Sequence, residues 1–196
     1  MHGIFLDIET NGLNAEVHRP LDIACKIVDF STGLIKGEYQ CVVKQTAEVW
    51  AASDLASIKM NGYSWDIISV GKLPEIVGQE IISFFTELEI QRGAAVFICQ
   101  NPSFDRAFFN QLIDVYTQER LNWPYHWLDF ASMYWAKVVQ SALDEGKVLP
   151  EKVSVSKNDI ANSYHLAPEA SPHKAMQGVN HLILCYQAIF GITFKE

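Results

Sequence analysis

The sequence predicts a mixed α/β domain: a central sheet that opens antiparallel, continues with parallel strands and is flanked by helices. Three observations predict it. The first 43 residues carry three apolar strand-like runs, broken at Gly12 and at Ser31-Thr-Gly33, which is the pattern of an antiparallel meander. Beyond Leu73 helix-like and strand-like runs alternate, as they do in α/β domains. The chain has 196 residues, 49% of them hydrophobic, enough to bury one full core.

Taken in order, Ile4-Phe-Leu6 reads as a buried strand that continues through Asp7 and Glu9, and Thr10-Asn-Gly12 ends it with turn chemistry. Pro20–Phe30 and Leu34–Val43 read as the second and third strands, antiparallel to each other. Residues 46–70 are mixed: Val49, Trp50, Leu55 and Ile58 suggest one or two short helices, and Asn61-Gly62 a turn. From Leu73 to Leu88 the spacing of Ile76, Val77, Ile81, Ile82, Phe84 and Phe85 predicts a helix. Ala94–Cys99 is a short continuous apolar run, expected as a buried parallel strand. Pro102 ends that strand, Ser103 is placed to cap the next helix, and Asp105 falls in its first turn. His126–Leu128 reads as a strand, with Asp129 capping a helix from Phe130 to about Leu143. A short helix is expected over Lys157–Tyr164 and a final one over His173–Ile189.

Composition narrows the function. Fifteen Lys and Arg face 23 Asp and Glu, for a net charge of −8, and no basic stripe is visible. That argues against a tight grip on long duplex DNA through its phosphates. A small nucleic-acid site stays compatible, because bound metal ions supply positive charge locally. No apolar run approaches the roughly eighteen residues that span a bilayer. The N-terminus enters a strand directly, so no signal peptide is expected. Cys25, Cys41, Cys99 and Cys185 show no C-x-x-C spacing and are expected as buried free thiols of a cytoplasmic protein.

The chemistry-bearing residues begin at the first strand. Residues two apart on a strand share a face, so Asp7 and Glu9 stand side by side. Two such carboxylates resist joint ionisation, and a divalent cation relieves the repulsion with hard oxygen ligands. An alternative is that they face solvent or cap the following turn. Asp105, in the first helical turn after a buried strand, lies near the sheet edge where α/β proteins place ligands; as a bare helix-dipole partner it would sit there too. His173 enters a helix from a Pro-containing loop. It reads either as a solvated cap residue or as a general base, since an imidazole with a pKa of about 6.5 suits proton removal near neutral pH.

Together these stretches carry a resemblance. Ile4-Phe-Leu-Asp-Ile-Glu-Thr-Asn-Gly-Leu13 resembles the first motif of the DEDD 3′–5′ exonuclease superfamily. Gln100-Asn-Pro-Ser-Phe-Asp105, followed by Phe108 and Phe109, resembles the second. Pro172-His-Lys-Ala175 resembles the third motif of its DEDDh, or DnaQ-like, branch, and Val155–Leu166 looks like the segment that precedes the histidine there. The resemblance covers nearly the whole chain. It implies one exonuclease domain over residues 1–196 with a ribonuclease H-like fold. It implies hydrolysis of phosphodiester bonds from the 3′ end of single-stranded or short DNA or RNA, releasing nucleoside 5′-monophosphates with two divalent cations, Mg2+ or Mn2+. Carried over, Asp7 bridges both ions, Glu9 binds one, Asp105 holds the other, and His173 takes a proton from the attacking water. In that scheme ions about 3.5–4 Å apart clamp the attacking and leaving oxygens. Thr10, Asn11, Gly12 and Leu13 lie under the terminal nucleotide. Phe108 and Phe109 follow Asp105; one is expected to pack in the core and the other, Phe109, to wedge the terminal base. By the same analogy a homodimer or a polymerase partner is the expected assembly, with no membrane partner.

One position departs from the pattern. The family's histidine motif ends with an aspartate five residues on, and here that residue is Gly178. Asn180 lies two further along, and two residues turn a helical side chain by about 200°, so Asn180 faces away. Asp159 and Glu169 are near in sequence, but no spacing selects them. The alternative function is therefore a catalytically weakened exonuclease-fold subunit, binding nucleic acid or a polymerase; a phosphatase acting on small substrates is a third. Of the five tryptophans, Trp127 and Trp135 are expected in the core, while His165 and His181 are taken as structural.

Overall fold

The computed structural model describes residues 1–195. Its sheet has five strands: β1 (His2–Thr10), β2 (Pro20–Asp29), β3 (Leu34–Val42), β4 (Ala95–Cys99) and β5 (Trp127–Asp129), in the order β3-β2-β1-β4-β5. β1 is antiparallel to β2 and β2 to β3, whereas β1 and β4, and β4 and β5, run parallel. The antiparallel meander and the parallel continuation are those expected from the sequence. So are the buried, unpaired thiols of Cys25, Cys41, Cys99 and Cys185.

β1 is central, and its alternation sorts the two cores. Ile4, Leu6 and Ile8 point to one face, where Val77, Ile81 and Phe85 of α4 (Pro74–Glu87) and Phe108 and Phe109 of α5 (Pro102–Leu112) cover them. Phe5 points to the other face. There it packs with Ile160 and Ala161 of α8 (Lys157–Ser163) and with Val179, Leu182 and Ile183 of α9 (Ala175–Phe190). Asp7 and Glu9 share the parity of Phe5 and so fall on the α9 side, at the end of β1 where the apolar run stops.

The structure corrects several expectations. Residues 46–70 form three short helices, α1 (Ala47–Ala51), α2 (Leu55–Asn61) and α3 (Trp65–Ile68). Caps explain two of them: Thr46 accepts from the Val49 amide and Asp54 from the Ala56 amide. α6 (Val115–Arg120) was not expected; Asp114 starts it by accepting from the Tyr116 and Thr117 amides. α5 begins at Pro102, with Asn101 rather than Ser103 at the cap, because proline suits the first helical position. The Ser103 hydroxyl instead donates to Asn101 Oδ1. Asp129 caps α7 (Phe130–Asp144) as expected, accepting from the Ala131 amide. Trp127 stacks on Phe97 at 4.0 Å, but Trp135 is 53% exposed. The buried residues of α7 are Phe130 and Tyr134, and one further residue turns about 100° off that stripe.

Candidate active site

β1 and β4 run parallel, so both end at one edge of the sheet, and the segments that follow them meet there. A cavity of about 470 Å³ opens at that edge, lined by Asp7 and Glu9 of β1 and by Gln100, Asn101, Phe104 and Asp105 around the start of α5. Its opposite wall is made of Ser156, Lys157 and Asn158 at the start of α8, together with Glu169 and His173. The four residues expected to carry chemistry, Asp7, Glu9, Asp105 and His173, therefore line one space, although they come from three distant stretches of the chain.

The electrostatics of this space are dominated by buried negative charge. Burial raises the Asp105 carboxyl well above the usual carboxylate range, and the charge of Asp7 adds to the shift. Burial likewise raises Asp7, with Lys157 acting against it and Glu169 reinforcing it. Glu9 is pushed from 4.5 up to about 8 by burial, then by Asp7 and Glu169. Each acid resists ionisation because the others are near and little water reaches them.

Lys157 and Glu169 were not selected from the sequence. The Lys157 ammonium lies 3.4 Å from Asp7 Oδ1 and 3.0 Å from Glu169 Oε2, and it donates to the Gly178 carbonyl at 3.4 Å. Burial disfavours that ammonium, but Asp7 and Glu169 more than offset this and hold its pKa above the ordinary value. Glu169 is buried beside it, its side chain 4% exposed, and its amide donates to Asn158 Oδ1. Gly178 lies directly over Asp7: a Cβ there would come within 2.3 Å of Asp7 Oδ2. The absence of a side chain thus lets α9 close onto the end of β1. Asn180 is exposed, as its helical phase requires, and Asp159 faces away as part of the α8 cap, accepting from Ser156 Oγ.

The His173 segment is fixed by its neighbours. Its amide donates to Met60 O of α2, and Lys174 Nζ donates to Asn61 O and sits 3.4 Å over the Tyr63 ring. The Ala175 amide, at the start of α9, donates to Asp22 Oδ2 on β2, which also accepts from Tyr63 Oη at 2.6 Å. A buried carboxylate at that helix start takes up a backbone donor that has no partner within the helix. His181 is buried with Nε2 2.9 Å from Ala167 O, in keeping with a structural role.

The stretch after Glu9 divides into structural and accessible residues. Asn11 is fully buried: its side chain donates to Val49 O and accepts from the Arg19 amide, and its own amide donates to Arg19 O. Thr10 donates through its hydroxyl to Gly12 O. At Gly12 a Cβ would meet the His18 ring at 2.4 Å, so a side chain there would have to displace that ring. Leu13 is 73% exposed and borders the cavity. Phe109, the candidate wedge, is fully buried against Phe97, Trp123 and Trp127, so it cannot touch a substrate. Phe104, five residues earlier, is partly exposed. It lines both this cavity and a second one of about 270 Å³ that continues past Glu9, Thr10 and Leu13 to α2.

Three carboxylates whose burial raises their proton affinity are of the ligand type that a hard divalent cation takes. Among the described residues, no three His, Cys, Asp or Glu side chains are drawn together tightly enough to hold one by themselves. Asp7, Glu9 and Asp105 fit such an ion by charge and ligand type, with water or substrate oxygens completing the shell.

No protein-family model matches the chain, and no curated protein matches it. Solved structures do. A zinc-bound complex of E. coli exonuclease I with single-stranded DNA superposes with a TM-score of 0.75 at 18% identity, over 97% of this chain and 40% of that one. Cell-death related nuclease 4 (CRN-4) superposes at 0.71 with 12% identity, over 97% of this chain and 64% of that one. Exonuclease I bound to a dT13 oligonucleotide gives 0.70 at 16% identity, over 96% and 40%. The chain thus spans less than two thirds of each of these neighbours. At such identities the likeness establishes the fold, a ribonuclease H-like mixed sheet flanked by helices.

Proposed function

We propose that this chain, built on the fold shared with those exonucleases, is a divalent-cation-dependent 3′–5′ exonuclease that trims single-stranded or short nucleic acid. The observation that carries the reading is the convergence of Asp7, Glu9, Asp105 and His173 on one open cavity at the end of the parallel strands. Asp7, Glu9 and Asp105 would hold the cation, which when bound supplies charge neutralisation and polarises the scissile phosphate. His173, at the rim, accepts the proton of the attacking water. Phe104 and Leu13 offer the terminal base an apolar face, and the adjoining cavity beside α2 receives the end of the strand. The acidic surface and the small site favour a substrate gripped near its terminus. The single-stranded DNA in the exonuclease I complexes supports the same substrate class.

Incubation of the protein with 5′-labelled single-stranded DNA or RNA and Mn2+ tests this. Stepwise 3′ shortening is expected, with nucleoside 5′-monophosphate released and the activity lost in Asp7→Asn. If no shortening occurs at any protein concentration, or if Asp7→Asn cuts as well as the parent, the reading fails. A second reading is favoured by Gly178, which supplies no ligand: a subunit that binds strands without cutting them. It predicts binding of a labelled oligonucleotide that Mn2+ leaves uncut.

A further inference from the structure

We infer that the Lys157 ammonium is a built-in cation of the site, seated where a second divalent ion would otherwise bind, so that the chain takes a single divalent ion. The inference rests on the exonuclease reading for its context and on the geometry around Lys157 for its content. Three oxygens surround that ammonium: Asp7 Oδ1 at 3.4 Å, a Glu169 carboxylate oxygen at 3.0 Å and the Gly178 carbonyl at 3.4 Å. Two carboxylates and a carbonyl are the ligands a hard divalent ion takes, and here the chain's own side chain occupies their centre. The side chains of Lys157 and Glu169 are 12% and 4% exposed, so this is an interior arrangement and not a surface ion pair.

Charge and space agree with it. Asp7, Glu9, Asp105 and Glu169 bring four carboxylates to the cavity wall, and Lys157 is the lysine or arginine that lines it with them. One divalent ion held by Asp7, Glu9 and Asp105 leaves those four carboxylates and the ammonium with a formal charge of −1. A second ion, seated between Asp7 and Glu169, would have to displace the ammonium from both carboxylates, and a bare ammonium held next to a divalent ion is repelled strongly at this depth. Position 178 cannot add a side-chain ligand there either, because even a Cβ would press on Asp7. Lys157 is thus a positioning residue. It orients Asp7 and supplies fixed charge without touching substrate, as ammonium groups do when they stand in for a counter-ion.

The test counts metal. Titration calorimetry with Mn2+ and electron paramagnetic resonance of the loaded protein are expected to give one ion per chain with no exchange-coupled pair. Lys157→Arg is expected to keep one ion. Lys157→Ala, which leaves Asp7, Glu169 and the Gly178 carbonyl around an opened space, is expected to take two and to show the signature of a coupled pair. Two ions in the parent protein overturn the inference, as does one ion in both the parent and a folded Lys157→Ala. Should Lys157→Ala not fold, the parent's count and spectrum decide by themselves. The two readings fail separately. A parent that shortens strands while holding a coupled Mn2+ pair sinks this inference and leaves the exonuclease standing. One that holds a single ion and cuts nothing sinks the exonuclease and leaves the seat of Lys157 intact. A parent that binds no Mn2+ ends both.

Discussion

Glu9, together with Asp7 and Asp105, shapes the pH response of the metal-free protein. The Glu9 carboxyl rises from 4.5 to about 8 through burial, Asp7 and Glu169. An acid whose folded pKa is raised binds protons more tightly when folded, so its favourable contribution is complete below the unfolded value. That contribution fades as pH rises towards 8. Thermal melting without metal is therefore expected to give a lower Tm at pH 8 than at pH 5, and Glu9→Gln to flatten the difference. Mn2+ should raise the Tm more at pH 8, where ligand binding favours the ionised site. A Glu9→Gln profile as steep as the parent's would refute this. The phenylalanines make a second pair. Phe109→Ala is expected to lower stability by about 3–5 kcal/mol while leaving turnover of the folded fraction unchanged. Phe104→Ala should barely affect stability yet raise KM about tenfold, because base stacking is worth about 1–3 kcal/mol. Denaturant melts and steady-state kinetics separate the two. The Asp7 and Glu9 spacing was legible in the sequence because strand alternation is local. The choice between Phe104 and Phe109 was not, since five helical residues turn by about 140° beyond a full circle and only the packed sheet says which side is inside. Lys157 was hidden for a different reason: its partner Asp7 lies 150 residues away.

The element that matters most for the geometry is the start of α9. Asp22 on β2 holds it by accepting from the Ala175 amide, and Tyr63 holds Asp22. Tyr63→Phe removes a donor from a buried carboxylate, so a loss of about 1–3 kcal/mol is expected. Activity should fall further than stability, because His173 lies two residues before Ala175. Urea melts compared with kcat check this; an unchanged kcat with a lowered midpoint would show that the latch serves folding alone. Elements with strong periodicity, such as β1 to β4, α4 and α9, were readable to within a residue or two. The short helices α1, α2, α3 and α6 were not, since they are too brief to show a period and rest on caps and on tertiary contacts.

At the scale of the whole molecule, the chain carries a net charge of −8, so any strand it holds is gripped by few phosphates. The salt dependence of oligonucleotide binding should accordingly be shallow. A log–log slope no steeper than about −2 corresponds to about three neutralised phosphates on a single strand, and a slope near −5 would contradict the proposed end-on grip. The sheet order brings the ends of β1 and β4 to one edge, where the starts of α5 and α8 and the segment before α9 close around the cavity. The sequence supplied that architecture through its alternating elements, but not the distances across the cleft.

The tight approach at Gly178 carries one more implication, for how such a site changes over generations. Installing aspartate at 178 alone drives a new carbon into Asp7, and stripping away Lys157 alone strands two interior carboxylates. Either mutation taken singly passes through an impaired intermediate. Positions 157 and 178 are thus expected to drift in concert, each guarding the identity of the other.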